Sequence, residues 1–530
     1  MSQSSKSSHF VNFSLVLLLV SLLTSACQPQ AKQSLYDQLG LEEITVTELQ
    51  SGYTNGDFTT RQVVQAYIDR IQEIDVNGPA LNSIRAVNPN ALAIADSLDR
   101  ERADGNIRGP LHGVPIVLKD NIDTYDMPTT AGSRFMEGSI PPDDAFIVKK
   151  LREQGAIILG KTNLSEWANF HSSTSTSGWS GLGGLVKNPY ELDRNTCGSS
   201  AGSGAAGAAN LATLTIGTET NGSIVCPSTA NGLVGLKPTI GLWSRDGIIP
   251  ISYTTDSAGP MVRTVTDAAI LLGALTGVDA EDPKTAESEA HIHEDYTIFL
   301  KEDGLSGKRL GFYTQPMGTN FRVDTLMYQT IRQLEAQGAT IVELDRISTT
   351  NIGAEAFQVL LFEFKDGLDK YFASLGDNAP VKSMQHLAEL TKADSIETAL
   401  VDRNLIFQAA EKAGLDSEEY QNALERMLKY SREEGIDMVM KEHNLDAIIS
   451  PTGSPAWTSD LVNGDNYSIS SSSPSARAGY PVITVPMGYI DGLPVGISFF
   501  GSAWSEPMLL EVAYSFEQAT MQRRPPTFKE

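Results

Sequence analysis

Segments with helical periodicity alternate along the chain with short, nearly continuous apolar runs. One helical stripe can be capped by Thr59 or Thr60 and comprises Val63, Val64, Tyr67, Ile68, Ile71 and Ile74. Another helix is predicted to begin at residues 88–89 and to fade near Gly105. Residues 113–119, GVPIVLK, form an apolar run instead. Such a run is typical of a strand that is buried on both faces.

A unit made of a helix, the tripeptide Gln-Gly-Ala and a strand occurs twice. The first copy places a helix over residues 144–154 and a strand over 156–159, and the same order returns at 334–344. Further strands are predicted at residues 211–217, 309–313, 447–450, 482–485 and 494–500. This alternation indicates a mainly parallel sheet covered by helices, and no Pro/Ser-rich linker or charge run divides the chain. We therefore predict a single large α/β domain.

The N-terminus has the pattern of an export signal. A lysine precedes an apolar run over residues 10–23, which is short for a membrane span, and small residues follow it. We predict that residues 1–26 are a signal peptide and that residues 27–530 form the mature domain. The string TSAC resembles a bacterial lipoprotein processing site, although it has Thr where Leu is usual. The expected location is therefore the periplasm, either free or anchored to the membrane through a lipidated Cys27.

Composition and charge exclude several classes of protein. With 41% hydrophobic and 20% charged residues among 530, the chain has the composition of a globular protein. It carries 40 basic against 65 acidic residues, a net charge of −25, which repels nucleic acid. The 7 histidines and 3 cysteines show no zinc-ligand spacing, so no metal site is expected. Cys197 and Cys226 are interpreted as small buried hydrophobic residues.

A tract of small residues is the most unusual feature of the chain. Residues 198–209 are all Gly, Ser or Ala, and residues 217–223 form a second small-residue cluster. Side chains of this size let the backbone itself approach another group closely. A GxGxxG match at 202–207 has no preceding strand and is given no weight. A GxSxG match around Ser200 leaves a Ser-His-Asp hydrolase open as an alternative.

Lys119 ends the apolar run at 113–119 and is the second candidate for chemistry. Burial disfavours the charged form of a lysine and lowers its pKa, which can make it a general base. The alternative is a structural lysine that reaches solvent or pairs with Asp120 or Asp123. For an isolated lysine at the end of a strand, that alternative would be preferred.

Three segments carry a family resemblance: GPLHGVPIVLKDNID, the tract CGSSAGSGAAGAANLATLTIGTETNGSIVCPS, and VGLKPTIGLWSRDGIIPIS. In this order they resemble the amidase signature family, and the likeness extends over residues 35–520. The resemblance implies a mixed, twisted sheet between helices and a Ser-cisSer-Lys triad. Segments such as GKTNLSEWANF and LLFEFKDGLDKYF resemble the peptide-amidase branch, which removes the amide nitrogen from C-terminally amidated peptides.

The resemblance assigns roles to individual residues. Ser223 would be the nucleophile, Ser199 the serine that follows a cis peptide bond, and Lys119 the base. Ser200 would support Lys119 by hydrogen bonding. The oxyanion would be held by backbone N–H groups of Thr220, Asn221, Gly222 and Ser223. No cofactor or metal is needed for this chemistry.

The predicted substrate pocket is formed by residues 167–173 and 177–184, with Trp167, Ala168 and Asn169 as substrate-binding residues; the alternative for Trp167 is a core position. The chain departs from the common family pattern at four positions, namely Ala201, Glu219, Asn221 and Val225. The effect of these departures on substrate choice stays open.

The expected substrate is a small molecule or short peptide amide, and the expected protein is a monomer that does not bind nucleic acid. Three alternatives are retained. The first is an amidase of other aryl or alkyl carboxamides. The second is a lipid-anchored solute-binding protein, which would have no use for a serine-lysine arrangement. The third is the amidase subunit of a tRNA-dependent amidotransferase, which the export signal and the net charge of −25 disfavour.

Overall fold

The computed structural model of the chain describes Met1, Gln3 and residues 33–396, 398–399 and 401–529. Apart from Met1 and Gln3, the predicted signal segment lies outside the described residues, and so does Cys27. No helix in the described ranges is long and apolar enough to span a membrane.

The α-helices of the described ranges are α1 (Leu35–Gln38), α2 (Val46–Asn55), α3 (Thr60–Arg70), α4 (Ala91–Ala103), α5 (Phe146–Glu153), α6 (Ala201–Ala208), α7 (Val225–Ala230), α8 (Val265–Ala274), α9 (Phe321–Ala336), α10 (Gly353–Ser374), α11 (Met384–Ala393), α12 (Asn404–Ala410), α13 (Glu418–Ser431), α14 (Asp437–His443), α15 (Ser473–Ala478) and α16 (Glu506–Thr520). The strands are β1 (Ile84–Val87), β2 (Pro115–Lys119), β3 (Ile157–Thr162), β4 (Trp179–Ser180), β5 (Gly184–Leu185), β6 (Leu214–Glu219), β7 (Val234–Lys237), β8 (Ser257–Val262), β9 (Arg309–Tyr313), β10 (Thr340–Leu344), β11 (Ala447–Pro451), β12 (Val482–Ile490) and β13 (Leu493–Phe500).

Within the described part of the chain, eleven of these strands form one mixed sheet in the order β1-β3-β2-β6-β8-β7-β12-β13-β11-β9-β10. Parallel pairing joins β2 to β3 and β6 near one end, and β9 to β10 and β11 at the other. The strands between these groups pair antiparallel, and β4 and β5 form a separate two-stranded hairpin. The predicted single α/β domain with a mixed sheet covered by helices is confirmed.

Local sequence signals explain where several helices begin. Thr59 caps α3 in a reciprocal arrangement with Gln62, and the predicted apolar stripe is buried at Val63, Val64 and Tyr67. The stripe continues beyond α3 into a π-helical turn at Ile71–Val76. In the repeated unit, helix α5 precedes β3 and helix α9 precedes β10, in the order that the sequence predicts.

The small-residue tract folds into α6, which lies against the sheet at very short range. A Cβ atom added at Gly202 would stand 2.4 Å from the carbonyl oxygens of both Asn163 and Ser83. At Gly217 on β6 it would stand 2.7 Å from the hydroxyl of Ser200. Any side chain larger than hydrogen at these positions would push the tract away from the strands. This close contact explains why the tract is built from small residues.

A second apolar cluster joins helices α10, α11 and α12 to the segment just before β4. Phe364 and Phe372 of α10 pack edge-on against Phe170 and Trp167, with ring centroids 5.1 Å and 6.2 Å apart. These helices therefore cover the face of the domain on which Ala168 and Asn169 lie.

Candidate active site

Lys119 ends strand β2 inside the domain, with no part of it exposed to solvent. Its Nζ lies 2.7 Å from Ser199 Oγ and 2.9 Å from Thr218 Oγ1, on the adjacent strand β6. The structural alternatives for this lysine are not realised, because Asp120 is 3.5 Å from Lys161 and Asp123 accepts a hydrogen bond from Tyr371. Lys119 therefore faces hydroxyl groups instead of carboxylates.

Burial lowers the pKa of Lys119 from its ordinary value of 10.5 to about 7. The negative charges of Asp256 and Glu219 act in the opposite direction but are weaker. A lysine with this pKa is neutral in a substantial fraction of molecules near neutral pH. Neutral Lys119 has a lone pair that can accept the proton of Ser199.

Ser199 directly follows a cis peptide bond, Gly198–Ser199, and is fully buried. Its carbonyl oxygen accepts a hydrogen bond of 3.0 Å from the N–H of Ser165, which fixes the turn against the segment after β3. The structure thus brings Ser199 to Lys119, with the peptide geometry that the family resemblance implies.

Ser200 is connected to Lys119 by hydrogen bonds through Thr218. Its hydroxyl donates to the carbonyl of Thr218 at 3.0 Å and accepts from the N–H of Thr218 at 3.1 Å. Ser200 therefore fixes Thr218, which in turn contacts Lys119. The same hydrogen bonds and full burial leave Ser200 without access to a substrate, so the Ser-His-Asp alternative centred on it is wrong.

Ser223 lies between β6 and α7 and lines a cavity, whereas Lys119 and Ser199 are not among the residues that line it. It follows Gly222, whose φ of +85° is in the left-handed region that favours glycine. Its carbonyl oxygen accepts a hydrogen bond of 3.3 Å from the N–H of Ser200, so the turns that carry Ser199 and Ser223 are in direct contact.

Glu219 organises the turn after Ser223. One carboxylate oxygen accepts hydrogen bonds of 2.8 Å and 3.0 Å from the N–H groups of Ile224 and Val225 at the start of α7. Donors to an oxyanion must therefore come from the preceding residues. Those that line the cavity are the predicted ones: Thr220, Asn221, Gly222 and Ser223.

Cys197 and Cys226 form a disulfide, which corrects their interpretation as unpaired hydrophobic residues. Their spacing of 29 residues gave no signal of pairing by itself. In the structure Cys197 is two residues before Ser199, and Cys226 is three residues after Ser223. The disulfide thus joins the two serine-bearing turns and forms part of the cavity wall.

The cavity has a volume of about 400 Å³ and opens to solvent over Ser223. Ala168 and Asn169 line it, as does Ser177 of the second predicted wall segment. Trp167 does not, because its ring turns into the apolar cluster against Phe372. The predicted substrate contact of Trp167 is therefore wrong, and the alternative of a core position describes it.

Residues 167–169 form a tight turn in which three consecutive residues have positive φ angles, between 47° and 74°. Glu166 precedes this turn and is buried in an ion pair with Arg403, with Oε1 and the guanidinium 3.1 Å apart. Glu166 also accepts a hydrogen bond of 2.8 Å from the N–H of Gly181. A buried charge pair thus holds the cavity wall to helix α12.

Sequence reasoning missed the far wall of the cavity. This wall belongs to the loop between β11 and α15 and includes Trp457, Asp465, Tyr467, Ser470 and Ser472. Asp465 accepts hydrogen bonds from the N–H of Ser177 at 3.0 Å and from Trp457 Nε1 at 3.3 Å. Nothing in the local pattern of this loop distinguishes it from an ordinary surface loop, because its residues meet Ser223 only through the fold.

No group of three or more His, Cys, Asp or Glu side chains in the described ranges is placed to hold a metal ion. The side chains that line the cavity also include no Lys, Arg or His in those ranges. The cavity is thus a neutral to negative environment, with Asp465 in its wall.

Comparison with known proteins gives consistent matches. A family model described as "Amidase" matches residues 62–510. The crystal structure of native peptide amidase from Stenotrophomonas maltophilia is 46% identical in sequence and superposes with a TM-score of 0.89. The match covers 93% of this chain and 100% of that one.

Two curated relatives match over similar lengths. A probable amidase of Arabidopsis thaliana is 38% identical over 525 residues, with 97% of each chain covered. One subunit of the glutamyl-tRNA(Gln) amidotransferase of Thermosynechococcus vestitus is 34% identical over 496 residues, with 90% of this chain and 98% of the relative covered.

Proposed function

Because the chain belongs to the amidase family, and is thus a hydrolase acting on amides, we propose that it removes the terminal amide nitrogen of C-terminally amidated peptides. The observation that carries this proposal is the buried Lys119, with Nζ 2.7 Å from Ser199 Oγ, beside a cavity lined by Ser223. The 46% identity to a peptide amidase supports the choice of substrate.

In the proposed mechanism, neutral Lys119 accepts the proton of the Ser199 hydroxyl, and Ser199 accepts the proton of Ser223. The Ser223 oxygen attacks the carboxamide carbon, and the carbonyl oxygen becomes an oxyanion. Backbone N–H groups of residues 220–223 stabilise this charge, which in general contributes a large part of the rate enhancement.

The tetrahedral intermediate collapses when its C–N bond breaks. Ser199 returns a proton to the leaving nitrogen, and ammonia departs. Water then attacks the acyl ester on Ser223, with the same Ser199-Lys119 pair as the base, and releases the carboxylic acid. Lys119 thus takes up one proton and gives it back within each half of the cycle, through Ser199 to the departing ammonia in the first half and to the Ser223 oxygen in the second, so the proposed cycle needs no cofactor.

The size of the cavity supports a peptide on the acyl side of the amide. Its volume of about 400 Å³ accommodates a few residues, and its walls combine apolar groups such as Phe170 and Leu360 with hydroxyl groups. A simple aryl or alkyl carboxamide would occupy only part of this space. The proposal therefore favours peptide amides over the alternative of small carboxamides.

The test is ammonia release from a C-terminally amidated dipeptide by the mature chain, residues 27–530. Ser223→Ala and Lys119→Met are each expected to lower kcat/KM by roughly 10³-fold or more, because the first removes the nucleophile and the second removes the base of the proposed mechanism. Ammonia release that persists in Ser223→Ala would contradict the mechanism.

Matched controls separate chemistry from folding. Lys237 is also fully buried, with its pKa lowered by burial to about 8, but its Nζ donates to the carbonyl of Pro238. Lys237→Met is expected to retain activity, and so is Ser51→Ala on the exposed face of α2. Hydrolysis of aryl carboxamides without hydrolysis of peptide amides would refute the substrate but retain the mechanism.

The solute-binding and amidotransferase hypotheses receive less support. The matched proteins give no support to a solute-binding role. An amidotransferase subunit would require partner chains to show activity, so ammonia release by the isolated chain from a peptide amide would argue against it. The proposed export and lipidation of Cys27 are tested separately, by fractionation of cells that express the full chain and its Cys27→Ala variant.

A further inference from the structure

A second cavity adjoins the one above Ser223 and has a volume of about 470 Å³. The two cavities share Ser470 and Ser473 in their walls. The second cavity is lined mainly by hydroxyl groups from the loop after β10 and from α13 and α15. In the described ranges, no acidic side chain is among its lining residues.

Arg477 of α15 lines this second cavity, and no carboxylate of the described residues forms an ion pair with it. Its Nε is buried, and its guanidinium donates to no protein acceptor in the described part of the chain. Burial lowers the pKa of Arg477, and the group that acts against this is the phenol of Tyr313, not a carboxylate. Arg346, whose side chain is exposed, adds a second positive charge to the lining.

An unpaired, half-buried guanidinium is costly, because partial removal from water is not offset by hydrogen bonds or an opposite charge. Buried arginines are ordinarily paired for this reason. The chain has a net charge of −25, whereas the lining of this cavity includes two arginines and no carboxylate. The local charge of the cavity is therefore opposite in sign to the net charge of the chain. A ligand that brings its own negative charge would remove the cost.

Arg477 is also connected to the turn that carries Ser223. Ser472 donates a hydrogen bond of 2.7 Å to Asn221 Oδ1, and Asn221 Nδ2 donates to Ser473 Oγ at 3.2 Å. The helix that bears Arg477 begins at Ser473, so it is fixed relative to the predicted oxyanion residues. A substrate whose amide lies at Ser223 can therefore extend past Ser470 and Ser473 towards Arg477.

We propose that the cavity at Arg477 is an anion subsite that binds a carboxylate on the acyl part of the substrate, namely an acidic side chain upstream of the amidated residue. This inference rests on the proposed peptide-amide substrate. The guanidinium fork suits a carboxylate because its parallel N–H groups can donate to both oxygens. The surrounding hydroxyl groups supply further donors.

The test uses tetrapeptide amides that differ only in Glu or Gln at one position upstream of the amidated residue. At one of these positions the Glu peptide is expected to have a kcat/KM about tenfold higher than the Gln peptide, since hydrogen bonds to charged groups are the stronger ones. The difference should lie in KM, because this contact is the same in the ground and transition states. Arg477→Gln should abolish the preference and leave the Gln peptide unchanged.

Two controls accompany the variant. Arg477→Lys keeps the charge but not the fork and should retain part of the preference. Arg61→Gln removes an equal charge from an exposed ion pair on α3 and should retain all of it. The absence of a Glu preference at every position in the wild type, or a preference that survives Arg477→Gln, would overturn the proposal.

A titration with free glutarate, followed by calorimetry on the full mature chain, separates the sources of the anion. Arg477-dependent binding of glutarate together with the Glu preference supports the proposal. Such binding without the preference overturns the substrate assignment in favour of a free dicarboxylate. If no peptide amide is hydrolysed at all, the proposed function fails, whereas the glutarate titration still decides whether Arg477 binds a carboxylate.

Discussion

At the scale of single residues, the chemistry depends on how one lysine is kept free of carboxylates. The chain buries Lys119 and Lys161 on adjacent strands; of these two, Lys161 forms an ion pair, 3.5 Å from Asp120, whereas Asp256 and Glu219 act on Lys119 only through their charge. Lys119 instead meets the hydroxyls of Ser199 and Thr218. A carboxylate paired with Lys119 would raise its pKa and keep it protonated. The different partners therefore give Lys161 a structural role and allow Lys119 to act as a base.

The first prediction follows from the pKa of Lys119, which burial lowers to about 7. The base must be neutral to accept a proton, so kcat/KM should fall about tenfold per pH unit below the pKa and level off above it. A pH profile of ammonia release between about pH 5 and 9 measures this limb. A flat profile across pH 7 would rule out Lys119 as the titrating base.

The variant Asp256→Asn tests whether the fall in kcat/KM at low pH is caused by the protonation of Lys119. The charge of Asp256 raises the pKa of Lys119, so Asp256→Asn should shift the limb to lower pH. A limb caused by Asp256 itself, whose pKa burial raises to about 6, would vanish instead. The direction of the change therefore distinguishes the two groups.

At the scale of secondary-structure elements, the buried ion pair between Glu166 and Arg403 holds helix α12 to the turn at 167–169. Glu166→Gln or Arg403→Met should each lower the free energy of unfolding by roughly 3–5 kcal/mol, because each removes one member of a buried ion pair. Urea unfolding measures the change. The turn contributes Ala168 and Asn169 to the cavity, so KM for a peptide amide should rise in both variants.

The double variant Glu166→Leu with Arg403→Met is the control for this pair. Removing both charges removes their attraction and both desolvation costs together, so the stability of the double variant should lie closer to the wild type than that of either single variant. Single variants within about 1 kcal/mol of the wild type would show that the pair contributes little to stability.

Elements with continuous apolar runs could be predicted from the sequence, and elements with mixed composition could not. Strands β9 and β11 begin at the residues predicted for them. Strands β7 and β8 were missed, because VGLK and SAGPMV contain residues that weaken a strand pattern. The strand predicted at 211–217 begins only at Leu214, since residues 211–213 form the turn between α6 and β6.

The same division holds at the candidate active site. Lys119 and the serine tract were found because unusual residue types stand in one local segment. Asp465 and Arg477 were missed, because their significance comes from contacts with segments far away in the chain. The Cys197–Cys226 pairing was missed for the same reason, as only the fold brings the two serine turns together.

At the scale of the whole molecule, the disulfide restricts the unfolded chain as well as the folded one. Closing a loop of 29 residues is expected to stabilise the domain by about 3–4 kcal/mol through the entropy of the unfolded state. The double variant Cys197→Ser with Cys226→Ser should show this loss in denaturant unfolding. Its kcat/KM should also fall, since the disulfide joins the turns that carry Ser199 and Ser223.

Dithiothreitol treatment of the wild type gives an independent check. The reduced protein should match the double variant in stability, whereas the double variant itself should not respond to the reductant. Equal stability of the wild type and the double variant would contradict the prediction. Disulfides of this kind persist in oxidising compartments, in agreement with the proposed export.

The close packing around the small-residue tract also determines which positions of this enzyme can accept substitutions during evolution. At Gly202 and Gly217 an added methyl group would collide with fixed backbone or with Ser200. The loop between β11 and α15, by contrast, forms the far cavity wall with side chains that reach in from outside the sheet. Substitutions in that loop and in α10 and α15 can therefore change the substrate preference. Single substitutions at the tightly packed glycines around the catalytic residues would instead disrupt the packing.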